Sequence, residues 1–279
     1  MRALIYITIL LSLVSCFPDP IPISVDQAPQ KLVVSSQYIP GVGMSVLITK
    51  SFSALENREI TDGQNAESLV VLQDLLVSKA EVYLKYMDKS LRLNELTPGV
   101  YMIELESLPK GTEILLDIYD PISGLSVTAK TKTMAAVTLG GIAYTSIWQN
   151  EERDLKVVYA INDPISEDNW YVLNFYSELG EEGGFNGFTE FEFLNSQSLL
   201  VSSSDPTYGE ITLRNWNRDT LAVSLSNISL EHYQYLNQLK KSSQAVPFIT
   251  EPANISGNVN GGYGFFSAQF PDVKALTIN

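Results

Sequence analysis

Few residue types in this sequence could carry out acid–base, nucleophilic or metal chemistry. His232 is the single histidine, which leaves almost no room for an imidazole-based zinc site or for a serine–histidine–aspartate triad built elsewhere in the chain. No partner motif surrounds it, so we expect His232 to be a surface or helix-cap residue. The sequence contains no phosphate-binding glycine loop, no dinucleotide-binding pattern and no thiol pair. We therefore expect no catalytic residue, no cofactor and no metal.

Carboxylate pairs need separate consideration, because a glycosidase requires only two acidic residues. Three clusters qualify: Glu151-Glu152, Asp163 with Glu167-Asp168, and Glu178 with Glu181-Glu182. All three lie in turn-rich stretches, where solvated loops are the commoner explanation. Residues 162–168 could also bind calcium through their oxygens, but they lack the spacing and the turn glycine of an EF-hand. We interpret these clusters as solvated turns, so the sequence favours a protein that is not an enzyme.

The N-terminal residues form a chemical unit of their own. Arg2 is followed by a mostly apolar run over residues 3–13, the pattern of a secretory signal peptide and too short for a permanent span of about 20 residues. Leu13-Val14-Ser15-Cys16 then resembles the lipobox of bacterial lipoproteins. The resemblance implies a signal peptide over residues 1–15 and a lipid-modified Cys16 that anchors the chain in a bilayer. The alternative is an ordinary signal cleaved near Ser15, with Cys16 as a bystander.

The segment after the cysteine predicts a tether over residues 16–30. Phe17 replaces the aspartate that retains such proteins in the inner membrane, so outer-membrane sorting is expected. Prolines at positions 18, 20, 22 and 29 favour an extended backbone. The formal charge of −14 makes nucleic acid a poor partner, because phosphates would be repelled.

Aromatic residues give the only hint of a ligand or partner. The candidate contact residues are Trp148, Trp170, Phe185, Phe188 and Trp216, which lie near polar or glycine-rich loop segments. Exposed rings on loops can stack on sugars or anchor a protein partner, although such rings more often fill a β-sandwich core. Asp219-Thr220-Leu221 also resembles a short bacterial O-glycosylation site, or it simply begins a strand.

The elements that must position these residues are predicted to be short strands. Segments such as Gly43–Lys50 and residues 80–87 alternate apolar and polar side chains and end at glycine, proline or asparagine turns. We predict a mainly β protein: an immunoglobulin-like β-sandwich over residues 31–134, then a second β-rich domain over residues 135–279. One helix is predicted over residues 229–241, with Ser229 as N-cap and Lys240-Lys241 at its negative end.

The last fifty residues resemble a known family. Tyr233-Gln-Tyr235-Leu236 on the predicted helix is followed by Asn254-Ile-Ser-Gly257-Asn258 and by Gly264-Phe-Phe-Ser267. This order is similar to lipoproteins of Bacteroidota that carry domain of unknown function 4249. The front of the chain is similar too, through the lipobox, Lys31-Leu-Val-Val34 and Pro98-Gly-Val-Tyr101.

This resemblance implies a lipid-anchored outer-membrane protein that faces the cell surface and is encoded beside a TonB-dependent transporter. It supplies no catalytic residues. We therefore expect a non-catalytic accessory or binding subunit whose partners are the bilayer and an outer-membrane β-barrel transporter. The alternative is a stand-alone surface lipoprotein that binds glycan or matrix through its loop aromatics.

Overall fold

The computed structural model describes residues 29–39, 41–52, 74–149, 152–163, 168–176, 197–202, 207–243 and 255–279. Within these ranges the chain forms helix α1 (Leu230–Ser243) and seventeen strands. The strands are β1 (Leu32–Ile39), β2 (Gly43–Lys50), β3 (Glu81–Tyr86), β4 (Lys89–Arg92), β5 (Asn94–Thr97), β6 (Val100–Ile103), β7 (Glu113–Tyr119), β8 (Ser126–Lys132), β9 (Leu139–Gln149), β10 (Glu152–Ile161), β11 (Trp170–Tyr176), β12 (Gln197–Ser202), β13 (Tyr208–Leu213), β14 (Thr220–Ile228), β15 (Val259–Asn260), β16 (Tyr263–Phe265) and β17 (Pro271–Thr277). The mainly β class is therefore confirmed.

The first unit is a sandwich of two five-stranded sheets. One sheet has the order β16-β1-β2-β6-β5, and the other has the order β15-β8-β7-β3-β4. Alternation along the strands builds its core: Met44, Val46 and Ile48 of β2 point inward and are fully buried, as the sequence pattern predicts. The immunoglobulin-like sandwich expected here is confirmed.

The second unit packs a three-stranded sheet, β13-β10-β9, against a four-stranded sheet, β12-β11-β14-β17. Its separate core includes Leu155 and Val157 of β10 together with Leu173 and Phe175 of β11. Helix α1 follows β14 directly. The predicted N-cap is present, since the Ser229 hydroxyl accepts a hydrogen bond of 3.2 Å from the His232 backbone N–H. Among the described residues no helix is both long and apolar enough to cross a membrane.

The C-terminal segment differs from the domain assignment predicted from the sequence. The sequence predicts residues 259–268 in the second domain, but β16 pairs in parallel with β1 and β15 pairs with β8. Phe266 and Ala268 lie in the core of the first unit. The chain then returns to the second unit, where β17 pairs with β14. The second unit is therefore inserted between the strands of the first.

Strand β9 is not predicted by the sequence patterns, because Gly140-Gly141 is typical of a turn. In the structure the adjacent Asn162 side chain explains the first glycine. A Cβ atom at Gly140 would lie 2.5 Å from Asn162 Oδ1. A residue larger than glycine at position 140 would therefore collide with the Asn162 side chain. Residues 190–193, where the sequence pattern also predicts a strand, lie outside the described residues.

Candidate functional site

The β9–β10 hairpin and the β13–β14 loop meet at one end of the second unit. They bring a tryptophan and an arginine together, and we call this surface the distal patch. The β9–β10 hairpin pairs Trp148 with Arg153 directly across the two strands. The Trp148 side chain is 65% exposed, and the Arg153 guanidinium carbon lies 5.7 Å from the centre of its ring. This separation is within the range of a cation–π interaction, which holds the exposed indole against the hairpin.

Arg153 is fixed by the loop between β13 and β14. Its Nε donates to the Trp216 carbonyl at 3.1 Å, and its Nη2 donates to the Arg218 carbonyl at 2.7 Å. The Trp216 backbone N–H donates in turn to the Arg153 carbonyl at 2.6 Å. Only 11% of the Arg153 side chain is exposed, so the arginine is largely covered and the exposed surface beside it is the Trp148 indole.

The distal patch carries charges of both signs. Arg214 and Arg218 lie exposed on the loop that Arg153 holds, while Glu152 and Asp154 flank Arg153 on β10. Asp219 approaches Arg153 at 3.9 Å, but its side chain is 91% exposed and this contact is weak. Tryptophan and arginine are the residue types most enriched at the energetic centres of protein interfaces.

The other aromatic candidates are placed differently. Trp216 is only 6% exposed and belongs to the core of the second unit, so its ring is not available to a ligand. Trp170 is half-buried at the start of β11, opposite Ile228, which places it at the end away from Trp148. Phe185 and Phe188 lie outside the described residues, as does Cys16. The structure therefore leaves Trp148 as the exposed tryptophan.

Arg153 is the residue of this patch that sequence reasoning missed. In the sequence it lies between Glu152 and Asp154, and an acidic segment of this kind does not indicate a cationic contact residue. The register places Gln149 opposite Glu152, with two residues between the strands. A two-residue hairpin at this point would have paired position 148 with position 153, but only if β9 had been recognised as a strand.

The described residues of the acidic turn at 162–168 make hydrogen bonds within the second unit. The carboxylate of Asp163 accepts hydrogen bonds from the Asn169 amide at 3.0 Å and from the Tyr171 hydroxyl. Asn169 is buried and accepts a bond of 3.2 Å from Asn227. Burial and this carboxylate both raise the pKa of Tyr171. Among the described residues no three histidine, cysteine or acidic side chains converge on a possible metal position.

The expectation for His232 is wrong, because its side chain is buried. The imidazole stacks on Phe265, with ring centres 4.4 Å apart and an angle of 8° between the planes. Burial lowers the pKa of His232 to about 4, and the neighbouring Gln269 amide opposes this shift. The histidine follows β14 of the second unit whereas Phe265 belongs to β16, so this stack joins the two units. Sequence reasoning could not find it without the long-range pairing of β16.

Gly257 and Asn258 of the C-terminal motif stabilise the place where the chain re-enters the first unit. The Asn258 amide donates to the carbonyls of Lys130 and Phe266, and its oxygen accepts from the Phe266 backbone N–H. Gly257 is required because a Cβ atom there would lie 1.8 Å from the Gly264 carbonyl oxygen. These residues hold strands together and do not form a binding site. Thr220, the possible glycosylation position, is exposed at the first residue of β14.

Comparisons with known proteins agree with one family. A family model described as "Domain of unknown function (DUF4249)" matches residues 18–274. No curated protein matches the chain. Among solved structures, the FN1-FN3 domains of chicken CNTN1 are similar, with 11% identity over 92% of this chain and 70% of that chain. The TM-score is 0.27.

Proposed function

This chain belongs to the DUF4249 family, and on that premise we propose that it is an outer-membrane-anchored lipoprotein that acts as a non-catalytic accessory subunit. Its partner is an outer-membrane β-barrel transporter of the TonB-dependent class. The observation that carries the proposal is the distal patch, in which an exposed Trp148 lies against a largely covered, hydrogen-bonded Arg153. An indole that is restrained by a cation–π contact loses less conformational freedom when it binds, which favours a protein interface.

The anchor part of the proposal rests on the sequence Leu13-Val14-Ser15-Cys16 and the proline-rich segment after it. The acyl chains hold the protein at the cell surface while the tether lets the folded part reach its partner. Two or more acyl chains are needed, because a single chain binds a bilayer only marginally. Cys16→Ser should move the protein from the membrane fraction to the soluble fraction. Pro18→Ala, a change next to the motif, should leave it in the membrane.

The partner is tested by affinity purification of the tagged chain from native membranes in mild detergent. We expect a β-barrel protein to co-purify in stoichiometric amount with the unchanged chain, and at least a tenfold loss with Trp148→Ala. Tyr208→Ala is the matched control, because Tyr208 is 73% exposed and lies at the other end of the same sandwich. Recovery of the lipoprotein without an outer-membrane protein would count against the proposal.

A second function is favoured by the same exposed indole, since a flat aromatic surface can also stack on a sugar ring. In that case the chain is a stand-alone surface lipoprotein that binds glycan or matrix. Trp148→Ala would then weaken glycan binding, replacing Phe185 and Phe188 with alanine would abolish it while the fold survives, and no transporter would co-purify.

A further inference from the structure

The two units enclose a cleft that the proposed partner surface does not use. The outward face of β1 and β2 forms one wall, and the outward face of β11 and β14 forms the other. The segment Gln269–Pro271, which leads from the first unit to β17, also lines it. Its volume is about 480 Å³, within the range of roughly 300–1,000 Å³ typical of small-molecule sites.

Strand alternation places polar side chains on both walls. On the first wall the register sets Ser35 opposite Leu47 and Gln37 opposite Ser45, so these four side chains form one cross-strand patch. On the second wall Asn174 lies opposite Ser224, and their side chains contact each other at 3.5 Å. The opposite faces of the same strands fill the two cores, so this polarity belongs to the outward faces alone.

The chemistry of the walls selects a neutral ligand. Serine hydroxyls and carboxamides both donate and accept hydrogen bonds, as a sugar hydroxyl does. None of the described lining residues carries a charge, although the chain has a formal charge of −14. A charged ligand in this cleft would give up its hydration without gaining an ion pair. A neutral polar ligand needs no ion pair and does not carry this cost.

The apolar part of the lining also fits a saccharide. Leu47 is partly exposed on the first wall, Tyr176 is half-buried on the second, and Pro271 lies at the segment that joins them. A sugar ring presents hydroxyls at its edge and C–H groups on its faces, and an aromatic ring can stack on such a face. A largely apolar lining with polar side chains on both walls matches this division.

From this arrangement we infer that the cleft between the units binds a neutral saccharide of one or two rings. Ser35, Gln37 and Asn174 contact its hydroxyls, and Tyr176 contacts a ring face. The site is independent of the distal patch, because Trp148 does not line it. Saccharide binding can therefore succeed or fail separately from partner binding.

The test is a calorimetric titration of the full chain in detergent. The probes are glucose, maltose, lactose and N-acetylglucosamine, with glucuronate and glucosamine as charged counterparts. We expect saturable binding of at least one neutral saccharide. Ser35→Trp, which places a large side chain in the cleft, should weaken this binding at least tenfold. Ser90→Trp should change it less than twofold, because Ser90 is exposed on the edge strand β4 and does not line the cleft.

Two further variants keep the inference falsifiable. Tyr176→Ala removes the stacking ring without closing the cleft and should also weaken binding at least tenfold, with an unchanged circular dichroism spectrum. Trp148→Ala should leave saccharide affinity unchanged. The inference is overturned if no neutral saccharide binds, if the charged counterparts bind as tightly, or if both cleft variants keep the original affinity. Loss of binding in Trp148→Ala alone would also overturn it and would place the sugar at the distal patch.

Discussion

The buried side chain of Tyr101 joins separate segments of the first unit. The hydroxyl of Tyr101 donates to the Val77 carbonyl and accepts from the Ala80 backbone N–H, both at 2.8 Å. It thereby satisfies two backbone groups of the irregular segment that precedes β3. Burial raises the pKa of this tyrosine, so it stays protonated and able to donate over the ordinary pH range.

Removing that hydroxyl should cost stability without changing the fold. Tyr101→Phe leaves the Ala80 N–H and the Val77 carbonyl buried without their partner, a loss of about 1–3 kcal/mol. The measurement is the free energy of unfolding from urea denaturation. Tyr119→Phe is the control, because Tyr119 is 45% exposed and should change this free energy by less than about 0.5 kcal/mol. Equal effects of the two changes would contradict the bonding described here.

His232 predicts how stability depends on pH. Its folded pKa is about 4, below the ordinary value of 6.5, so the unfolded chain binds this proton more readily than the folded chain. The corresponding stability is present above pH 6.5 and is lost as pH falls towards 4, with a total of about 3 kcal/mol.

The check compares the unchanged chain with His232→Phe, which keeps a ring against Phe265 but cannot titrate. Thermal unfolding is followed between pH 7 and pH 4.5. We expect the unchanged chain to lose more stability over this interval than the variant does. Carboxylates titrate in both proteins, so the difference between the two slopes reports the histidine. Parallel slopes would mean that the imidazole is hydrated or already paired in its charged form.

At the scale of elements, the return strand β16 depends on close backbone contact. Gly264 has a φ of +101°, and a Cβ atom there would lie 2.0 Å from the Val34 carbonyl oxygen. This contact sits inside the parallel pairing of β16 with β1, where Val34 is the partner of Gly264. A side chain at this position must therefore push two strands apart.

Gly264→Ala should consequently destabilise the chain by more than the backbone conformation alone requires. Gly111→Ala is the matched control: its φ is +80°, but no atom lies within 4 Å of the added methyl group. The control should cost about 1–2 kcal/mol, the penalty of a left-handed conformation, and Gly264→Ala should cost clearly more. Chemical denaturation measures both, and similar losses would show that the strands can adjust.

Elements encoded by local patterns were predictable from the sequence. Alternation in β2 and β3 identified the buried faces, and Ser229 with Lys240 and Lys241 identified both ends of α1. Pairing between distant segments was not predictable, because Val33 and Tyr263 carry no local signal of each other. For the same reason the sequence indicated Trp148 as a candidate contact but not Arg153, whose role depends on the register of an unrecognised strand.

At the scale of the whole molecule, the first unit is completed by residues from the far end of the chain. Phe266 is fully buried in its core, and the Ser267 backbone N–H donates to the Ser36 hydroxyl at 2.8 Å. Without this segment, β1 and β8 would each lose a neighbouring strand and the core would lose a phenylalanine. The continuous stretch 29–134 is therefore an incomplete domain.

Fragment complementation tests this incompleteness. We expect residues 29–134 alone to give weak near-ultraviolet circular dichroism and little protection from hydrogen exchange. A peptide spanning residues 255–270 should restore both in a saturable manner, whereas the same peptide with Phe266→Ala should fail. If the fragment alone folds with its aromatic signals intact, the C-terminal strands are an addition to the first unit and not part of it.

The insertion of one unit within the other also fixes an order of events during synthesis. A ribosome completes the strands of the second unit up to β14 before it makes the residues that complete the first. The N-terminal sandwich, although made first, must wait for nearly the whole chain with the edges of β1 and β8 unpaired. Any chain that stops early carries an open, aggregation-prone edge. A copy truncated before β15 would therefore expose the edges of β1 and β8 to other chains and to proteases.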